Sequence, residues 1–168
     1  MITFAKGVTS GYAPLGGVIV SDRLAAPFLE DESAMFLHGI TFGGHPVSCA
    51  VALAHIDVME KENILANVLE NEPIFDEIME QLKELPFVGD VRGLGLMVGT
   101  EFIVDGTQAK AKQLVKDVVH SAEEKGMLLL SCGTYDNILR WIPPLNVTAE
   151  QINDGLNIFG EALKENIK

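Results

Sequence analysis

The chain has 168 residues, 48% of them hydrophobic and 21% charged, a composition that supports a folded core and excludes a wholly disordered chain. Its 24 acidic and 12 basic residues give a net charge of -12. A chain this acidic lacks the positive field with which proteins bind nucleic-acid backbones, so we expect no nucleic-acid partner.

The sequence predicts no membrane, secretory or metal-binding segment. Its longest apolar runs are 128–130 and 16–20, whereas a membrane-spanning helix needs roughly 20 residues. Residues 1–7 do not combine a basic segment with an apolar core, so they do not form a secretory signal. Cys49 and Cys132 form no C-x-x-C pair, which speaks against a zinc site or a disulfide framework. We expect a cytoplasmic protein with both cysteines reduced.

The first part of the chain predicts one strand and two helical stretches. Residues 1–46 are rich in glycine, proline and small side chains, which favours loops and short strands, with a strand over 17–21. The spacing of apolar residues predicts a helix over 46–60, and proline suits its first turn. Helical spacing continues over 63–85, with a break or kink near Pro73. The acidic residues of that stretch are interpreted as solvated surface.

The pattern after Pro86 is that of an α+β lobe. Strands are predicted over 88–93, 94–103, 127–131 and 138–142, and a helix is predicted around the apolar residues of 114–122. A last helix is predicted from Thr148, because 148–151 matches a capping box.

Lys6 is the first candidate for chemistry. A lysine among apolar and glycine-rich neighbours can be partly desolvated, which frees its amine to form a Schiff base with a carbonyl cofactor. Spacing alone leaves the alternative of an ordinary surface lysine open.

The glycine-rich turn 38–46 is the second candidate, because it leads directly into a predicted helix. Free amides at a helix start, together with the Thr41 hydroxyl, suit a phosphate group. A tight turn with an ordinary helix cap explains the same residues. His38 and His45 are too isolated to indicate a metal site.

Arg140 is the third candidate, since it lies within an apolar strand that ends in two prolines. A buried arginine needs a partner, and its planar fork pairs with a carboxylate through two hydrogen bonds. A substrate carboxylate and an internal Asp or Glu both meet that need. The stretch 91–99 is a poor match to a dinucleotide-binding loop, because its glycine spacing is wrong and no helix opens there.

Taken together, four segments resemble the class III pyridoxal-phosphate-dependent aminotransferases, which have fold type I. The segments are 3–17, 39–46, 88–97 with Glu101, and 139–145, in the family's order and spacing. The resemblance covers essentially the whole chain. It implies an α/β and α+β architecture: the end of the large cofactor domain over 1–60, connecting helices over 61–86 and the small C-terminal domain over 87–168.

The resemblance also assigns roles to the three candidates. Lys6 matches the lysine that bonds covalently to pyridoxal phosphate and shuttles a proton to and from the substrate. Thr41 matches the threonine that binds the cofactor phosphate of the neighbouring subunit in the family dimer. Arg140 matches the arginine that grips a substrate carboxylate. Arg92 belongs to the family signature, with no chemical role assigned.

The implied reaction moves an amino group from an amine or ω-amino acid to a 2-oxo acid such as pyruvate, with 4-aminobutyrate and diaminobutyrate open as donors. The family's phosphate loop, ring-stacking aromatic residue and acidic partner of the pyridine nitrogen precede the lysine. They do not occur in the five residues before Lys6, so the isolated chain is expected to be a poor catalyst. The alternative is a catalytically incompetent fragment that acts as an association module.

Overall fold

The computed structural model describes residues 1–31 and 33–167, and the chain forms two compact units, one over 1–63 and one that begins at Ile64. Lys168, the last residue of the expected small domain, lies outside the described residues. No helix among the described residues is long and apolar enough to cross a membrane.

The first unit opens with an antiparallel hairpin of β1 (Ile2–Ala5) and β2 (Gly16–Ile19). A short 3-10 helix, Lys6–Thr9, follows β1 directly. The strand predicted over 17–21 is confirmed as β2, which begins one residue earlier and ends at Ile19.

Helix α1 (Asp22–Glu30) corrects the expectation that 1–46 holds only loops and short strands. Its first turn begins with Asp22, whose carboxylate interacts favourably with the positive end of the helix dipole. Pro27 lies inside the helix, although proline is unfavourable in a helix interior.

Helix α2 (Pro46–Lys61) confirms the helix predicted over 46–60 and supports the rest of its unit. The His45 side chain caps it by accepting a hydrogen bond from the Ser48 amide at 3.3 Å. Helix α2 contacts the 3-10 helix, and Thr9 and Ser48 are buried. One helix therefore supports the loop after β1 and carries the glycine-rich turn at its start.

Helix α3 (Ile64–Lys83) opens the second unit and continues through Pro73, so of the break or kink predicted there the break does not occur. A proline in a helix removes one backbone hydrogen bond, and packing can compensate that loss. Phe75 and Leu82 of α3 are buried in the core of this unit. The chain instead turns at Asn63, whose φ of 51° is left-handed.

Four antiparallel strands and two further helices complete the second unit. They are β3 (Val88–Leu94), β4 (Met97–Phe102), α4 (Lys112–Glu124), β5 (Leu130–Cys132), β6 (Ile138–Trp141) and α5 (Ala149–Asn166). The sheet order is β3-β4-β6-β5, and all neighbours are antiparallel. The strand predicted over 127–131 is shifted, because pairing with β6 begins only at Leu130.

The sheet has one buried and one exposed face, as antiparallel sheets commonly do. Along β6, Leu139 and Trp141 are buried whereas Arg140 between them is exposed. The Trp141 ring packs edge-on against Phe159 of α5, with ring centroids 4.5 Å apart. The predicted capping box is confirmed, since Thr148 and Gln151 each accept a hydrogen bond from the other's amide.

Candidate functional site

Lys6 lies at the junction of β1 and the 3-10 helix, with an exposed side chain and a φ of 52°. A left-handed backbone is unfavourable for a residue with a side chain, and such strain is found preferentially at functional sites. Ser10, Asn63 and Asp136 share this left-handed conformation, so the backbone marks Lys6 as one strained residue among four, and its amine makes it the candidate reactive one.

Thr9 fixes the loop that follows Lys6. The Thr9 side chain is 1% exposed, and its hydroxyl lies 2.5 Å from the Ala13 carbonyl oxygen, to which it donates. The same hydroxyl lies 3.4 Å from the carbonyl oxygen of Lys6. The bond to Ala13 thus fixes the loop, and the longer contact places the Thr9 hydroxyl beside the Lys6 backbone.

Lys6 is exposed, so the described residues provide little of the desolvation expected for it. The apolar side chains near it in sequence do not cover it: Phe4 is 37% and Tyr12 is 87% exposed. The Lys6 amine is therefore open to solvent and to an incoming carbonyl compound.

The turn before α2 holds Thr41 in an exposed position. The Gly43 amide donates to the Ile40 carbonyl at 2.9 Å, and the His45 amide donates to the Phe42 carbonyl at 3.2 Å. Gly44 has a φ of 69°, a conformation that glycine adopts without cost. The turn is therefore internally bonded and presents the Thr41 hydroxyl outward.

The expectation of free amides at the start of α2 is corrected for Ser48 and Cys49. Pro46 has no amide hydrogen, the Ser48 amide donates to His45 Nδ1, and the Cys49 amide donates to the His45 carbonyl at 3.0 Å. The Ser48 and Cys49 amides are therefore not available to an anion at this turn, whereas the exposed Thr41 side chain is.

Arg140 is exposed rather than buried, because it points away from the core face of the sheet. Within the second unit, no described carboxylate lies within the 4.0 Å of an ion pair with it. The alternative of an internal Asp or Glu partner is therefore not observed there. Arg140 also lines a mainly apolar cavity of about 400 Å³, together with Leu130, its partner on β5, and Ile142, two positions further along the chain.

The three candidates are divided between the units, with Lys6 and Thr41 in the first and Arg140 in the second. No group of three or more His, Cys, Asp or Glu residues within 1–31 and 33–167 could hold a metal ion.

A charged cluster around Glu101 on the exposed sheet face was missed as a unit by sequence reasoning. The Glu101 carboxylate pairs with Lys110, and its second oxygen lies 3.6 Å from Arg92 Nη1. Arg92 also pairs with Asp90. Asn137 is 1% exposed, and its side-chain amide donates to the Phe102 carbonyl at 2.8 Å. The signal available in the sequence was the placing of charged residues two apart at 90 and 92 in one predicted strand, with Glu101 in the next.

The Glu101 cluster predicts a pH-dependent contribution to stability. The hydrogen bond from Lys110 is the main reason that the pKa of Glu101 is lowered, and burial opposes it. A carboxyl with a lowered folded-state pKa stabilises the fold above its unfolded pKa, and that stability is lost as pH falls through the folded pKa. We expect Glu101→Gln to lower the free energy of unfolding by about 1 kcal/mol at pH 7. The stability of the variant should also fall less steeply as the pH is lowered.

This prediction is checked by urea unfolding between pH 3 and pH 7, followed by fluorescence of Trp141, the only tryptophan in the sequence. Glu84→Gln, at an exposed position, is the matched control and should leave the curve unchanged. Parallel pH curves for wild type and Glu101→Gln would contradict the prediction.

The comparisons with known proteins identify the family. A family model described as Aminotransferase class-III matches residues 1–163, so the chain belongs to the class III aminotransferases. The chain is 43% identical over 151 residues to the probable aminotransferase Rv3329 of Mycobacterium tuberculosis, a match that covers 86% of this chain and 32% of that protein. It is 39% identical over 166 residues to the 5-aminovalerate aminotransferase DavT of Pseudomonas putida, covering 98% and 38%.

Solved structures agree with this assignment and with the predicted α/β fold class. A PLP-bound aminotransferase mutant from Vibrio fluvialis aligns with a TM-score of 0.86 and 28% identity, covering 98% of this chain and 37% of that one. The chain thus spans about a third of the length of the relatives that it matches.

Proposed function

We propose that this chain provides the cofactor-bonding lysine and a carboxylate-binding arginine of an aminotransferase that uses pyridoxal phosphate. The reaction would move an amino group from an amine or ω-amino acid to a 2-oxo acid such as pyruvate. The observation that carries the proposal is the exposed side chain of Lys6, which has a left-handed backbone and directly precedes a loop that Thr9 fixes.

The chemistry of the donor set fits this cofactor. A primary amine is the group that bonds covalently to an aldehyde, and Lys6 offers one. A hydroxyl in an internally bonded turn suits a phosphate, and Thr41 offers one. When bound, pyridoxal phosphate supplies the electron sink for the reaction.

Lys6 would act first as the covalent anchor and then, once released as a free amine, as the group that moves a proton. Its unprotonated Nζ would accept the proton from the donor carbon that bears the amino group and return a proton to the product side. An exposed lysine on a flexible four-carbon stem has the reach that both tasks require.

Arg140 would bind the carboxylate of the amino donor or of the 2-oxo acid. Its guanidinium is exposed and lacks an internal ion-pair partner within the described second unit, so it is available for two parallel hydrogen bonds to a carboxylate. The apolar cavity that Arg140 helps to line suits the hydrocarbon part of such a ligand. The 5-aminovalerate named for one relative is of this type.

In the proposed assembly, Thr41 would hold the cofactor phosphate of a neighbouring subunit in a homodimer. An exposed apolar stretch supports association: Met35, Phe36 and Leu37 are 69%, 71% and 85% exposed. The same stretch supports the second candidate function, an association module without catalytic activity.

The test is to incubate the purified chain with pyridoxal phosphate, reduce it with borohydride and map the labelled peptides by mass spectrometry. We expect one dominant phosphopyridoxyl adduct on Lys6, followed by amino-group transfer from 5-aminovalerate or 4-aminobutyrate to pyruvate. Labelling scattered over surface lysines, with association measured by light scattering, would favour the association module instead.

A further inference from the structure

The segment 142–148, which leads from β6 to α5, leaves the sheet directly after Trp141, the residue that follows Arg140. Pro143 and Pro144 in this segment have no amide hydrogen, so it cannot extend the strand ladder by donating hydrogen bonds. Proline also restricts the residue before it to extended conformations. A constraint on the end of this stiff segment is therefore transmitted back towards β6.

Two asparagines one turn apart on α3 provide that constraint. The side-chain amide nitrogen of Asn67 lies 2.8 Å from the Leu145 carbonyl oxygen and 3.0 Å from the Val147 carbonyl oxygen. A carbonyl only accepts hydrogen bonds, so the NH2 group of Asn67 must face the segment. One side chain thus bonds two carbonyls that are 78 and 80 residues away in sequence.

Asn71 sets the orientation of Asn67. Asn71 is 6% exposed, and its amide nitrogen lies 2.9 Å from the Asn67 carbonyl oxygen and 3.2 Å from Asn67 Oδ1. Because Asn71 donates to Oδ1, the other end of the Asn67 amide is directed at the segment. Asn71 Nδ2 also lies 3.4 Å from the Val147 carbonyl oxygen.

The opposite end of β6 is also held. Asn137 immediately precedes β6, and its buried amide donates to the Phe102 carbonyl at 2.8 Å. Within β6, the Trp141 indole nitrogen donates to the Thr100 hydroxyl at 3.2 Å. Side-chain hydrogen bonds therefore hold β6, which carries Arg140, at the residue before it, within it and in the segment after it.

We infer that Asn67 and Asn71 are positioning residues for Arg140 and for the cavity wall formed by Pro143, Pro144 and Val147. They act through the backbone of the segment and do not touch the ligand. This inference rests on the proposed role of Arg140 as the carboxylate-binding group. Without the asparagine bonds the segment and the strand end become mobile, and Arg140 loses its fixed direction relative to the cavity.

The test uses the whole chain and hexanoate as the probe, since its carboxylate suits Arg140 and its tail suits the apolar cavity. Binding is followed by the NMR shift of the Arg140 Nε–H signal, and backbone mobility by hydrogen exchange over 138–147. Asn67→Ser removes the NH2 group at a half-buried position and leaves only a shorter hydroxyl, whereas Asn67→Gln keeps an amide donor. Asn153→Asp is a control, because Asn153 bonds only the Ala149 carbonyl of its own helix among described groups.

We expect Asn67→Ser to weaken hexanoate binding about tenfold and to speed exchange of the Val147 amide by a similar factor, the effect of one lost hydrogen bond. Asn67→Gln should recover most of both, and Asn153→Asp should change neither. Unchanged binding in Asn67→Ser, with Arg140→Lys losing it, would overturn the positioning role. Unchanged binding in Arg140→Lys would instead refute the role proposed for Arg140 itself.

Discussion

Gly93→Ala is expected to destabilise the second unit by about 3 kcal/mol, because overpacking against backbone cannot be relieved by a side-chain rotation. Gly93 lies in β3 opposite Val98 of β4. A Cβ there would lie 2.6 Å from the Met97 carbonyl oxygen, 2.6 Å from Val98 Cγ2 and 2.9 Å from Val98 Cα. The two strands would have to separate at the point where their hairpin closes.

The measurement is urea and thermal unfolding followed by Trp141 fluorescence, since this buried residue reports on the second unit. A loss of about 3 kcal/mol lowers the midpoint temperature of a 100-residue unit by roughly 10–20 °C.

Gly160→Ala is the matched control for Gly93→Ala. Gly160 lies inside α5, and an added Cβ meets nothing within 4 Å. The control should therefore gain about 0.5–1 kcal/mol from its better helix propensity. If both alanine variants unfold at the wild-type midpoint, the close packing at Gly93 does not determine hairpin stability.

Local sequence patterns predicted the elements whose stability is mainly local. Helix α2 follows from apolar spacing and a proline at its first position, and α5 follows from a capping box that forms as expected. Helix α1 was missed because residues 1–46 are rich in glycine, proline and small side chains, and one of the prolines, Pro27, lies inside the helix. A similar argument from one proline predicted a break or kink near Pro73, and α3 continues through that residue.

For the candidate site, the sequence predicted which residues to consider but not how exposed they are. The motifs point to Lys6, Thr41 and Arg140 from short stretches of sequence. Their exposure depends on which face of the sheet or loop is covered, which is a tertiary property. For Arg140 a partial signal existed, because apolar Leu139 and Trp141 on both sides of it indicate one buried and one exposed face.

The asparagine contacts could not have been predicted from one sequence. Asn67 and Leu145 are 78 positions apart, and nothing local distinguishes Asn67 from an ordinary polar residue on a helix surface. Such contacts depend on how α3 packs against the segment after β6. They therefore become visible only when the fold is known.

Lys6→Arg is expected to abolish the phosphopyridoxyl label at position 6 completely while leaving the fold intact. Arginine keeps the positive charge and much of the length of lysine, but its guanidinium stays protonated and does not serve as the amine nucleophile. Lys6 is exposed, so the change should cost little stability. Far-UV circular dichroism checks that the first unit, which holds Lys6, still folds, because Trp141 reports on the second unit.

Lys61→Arg is the matched control for Lys6→Arg, because Lys61 is also an exposed lysine, 3.8 Å from Asp57 on α2. It should retain the label on Lys6 and the same light-scattering mass as the wild type. If labelling of the whole chain is the same in both variants, Lys6 has no special reactivity and its strained backbone serves only the turn. If the label disappears in Lys6→Arg alone while the association state is unchanged, cofactor bonding and self-association are separate properties of the chain, and the enzymatic proposal is favoured over the association module.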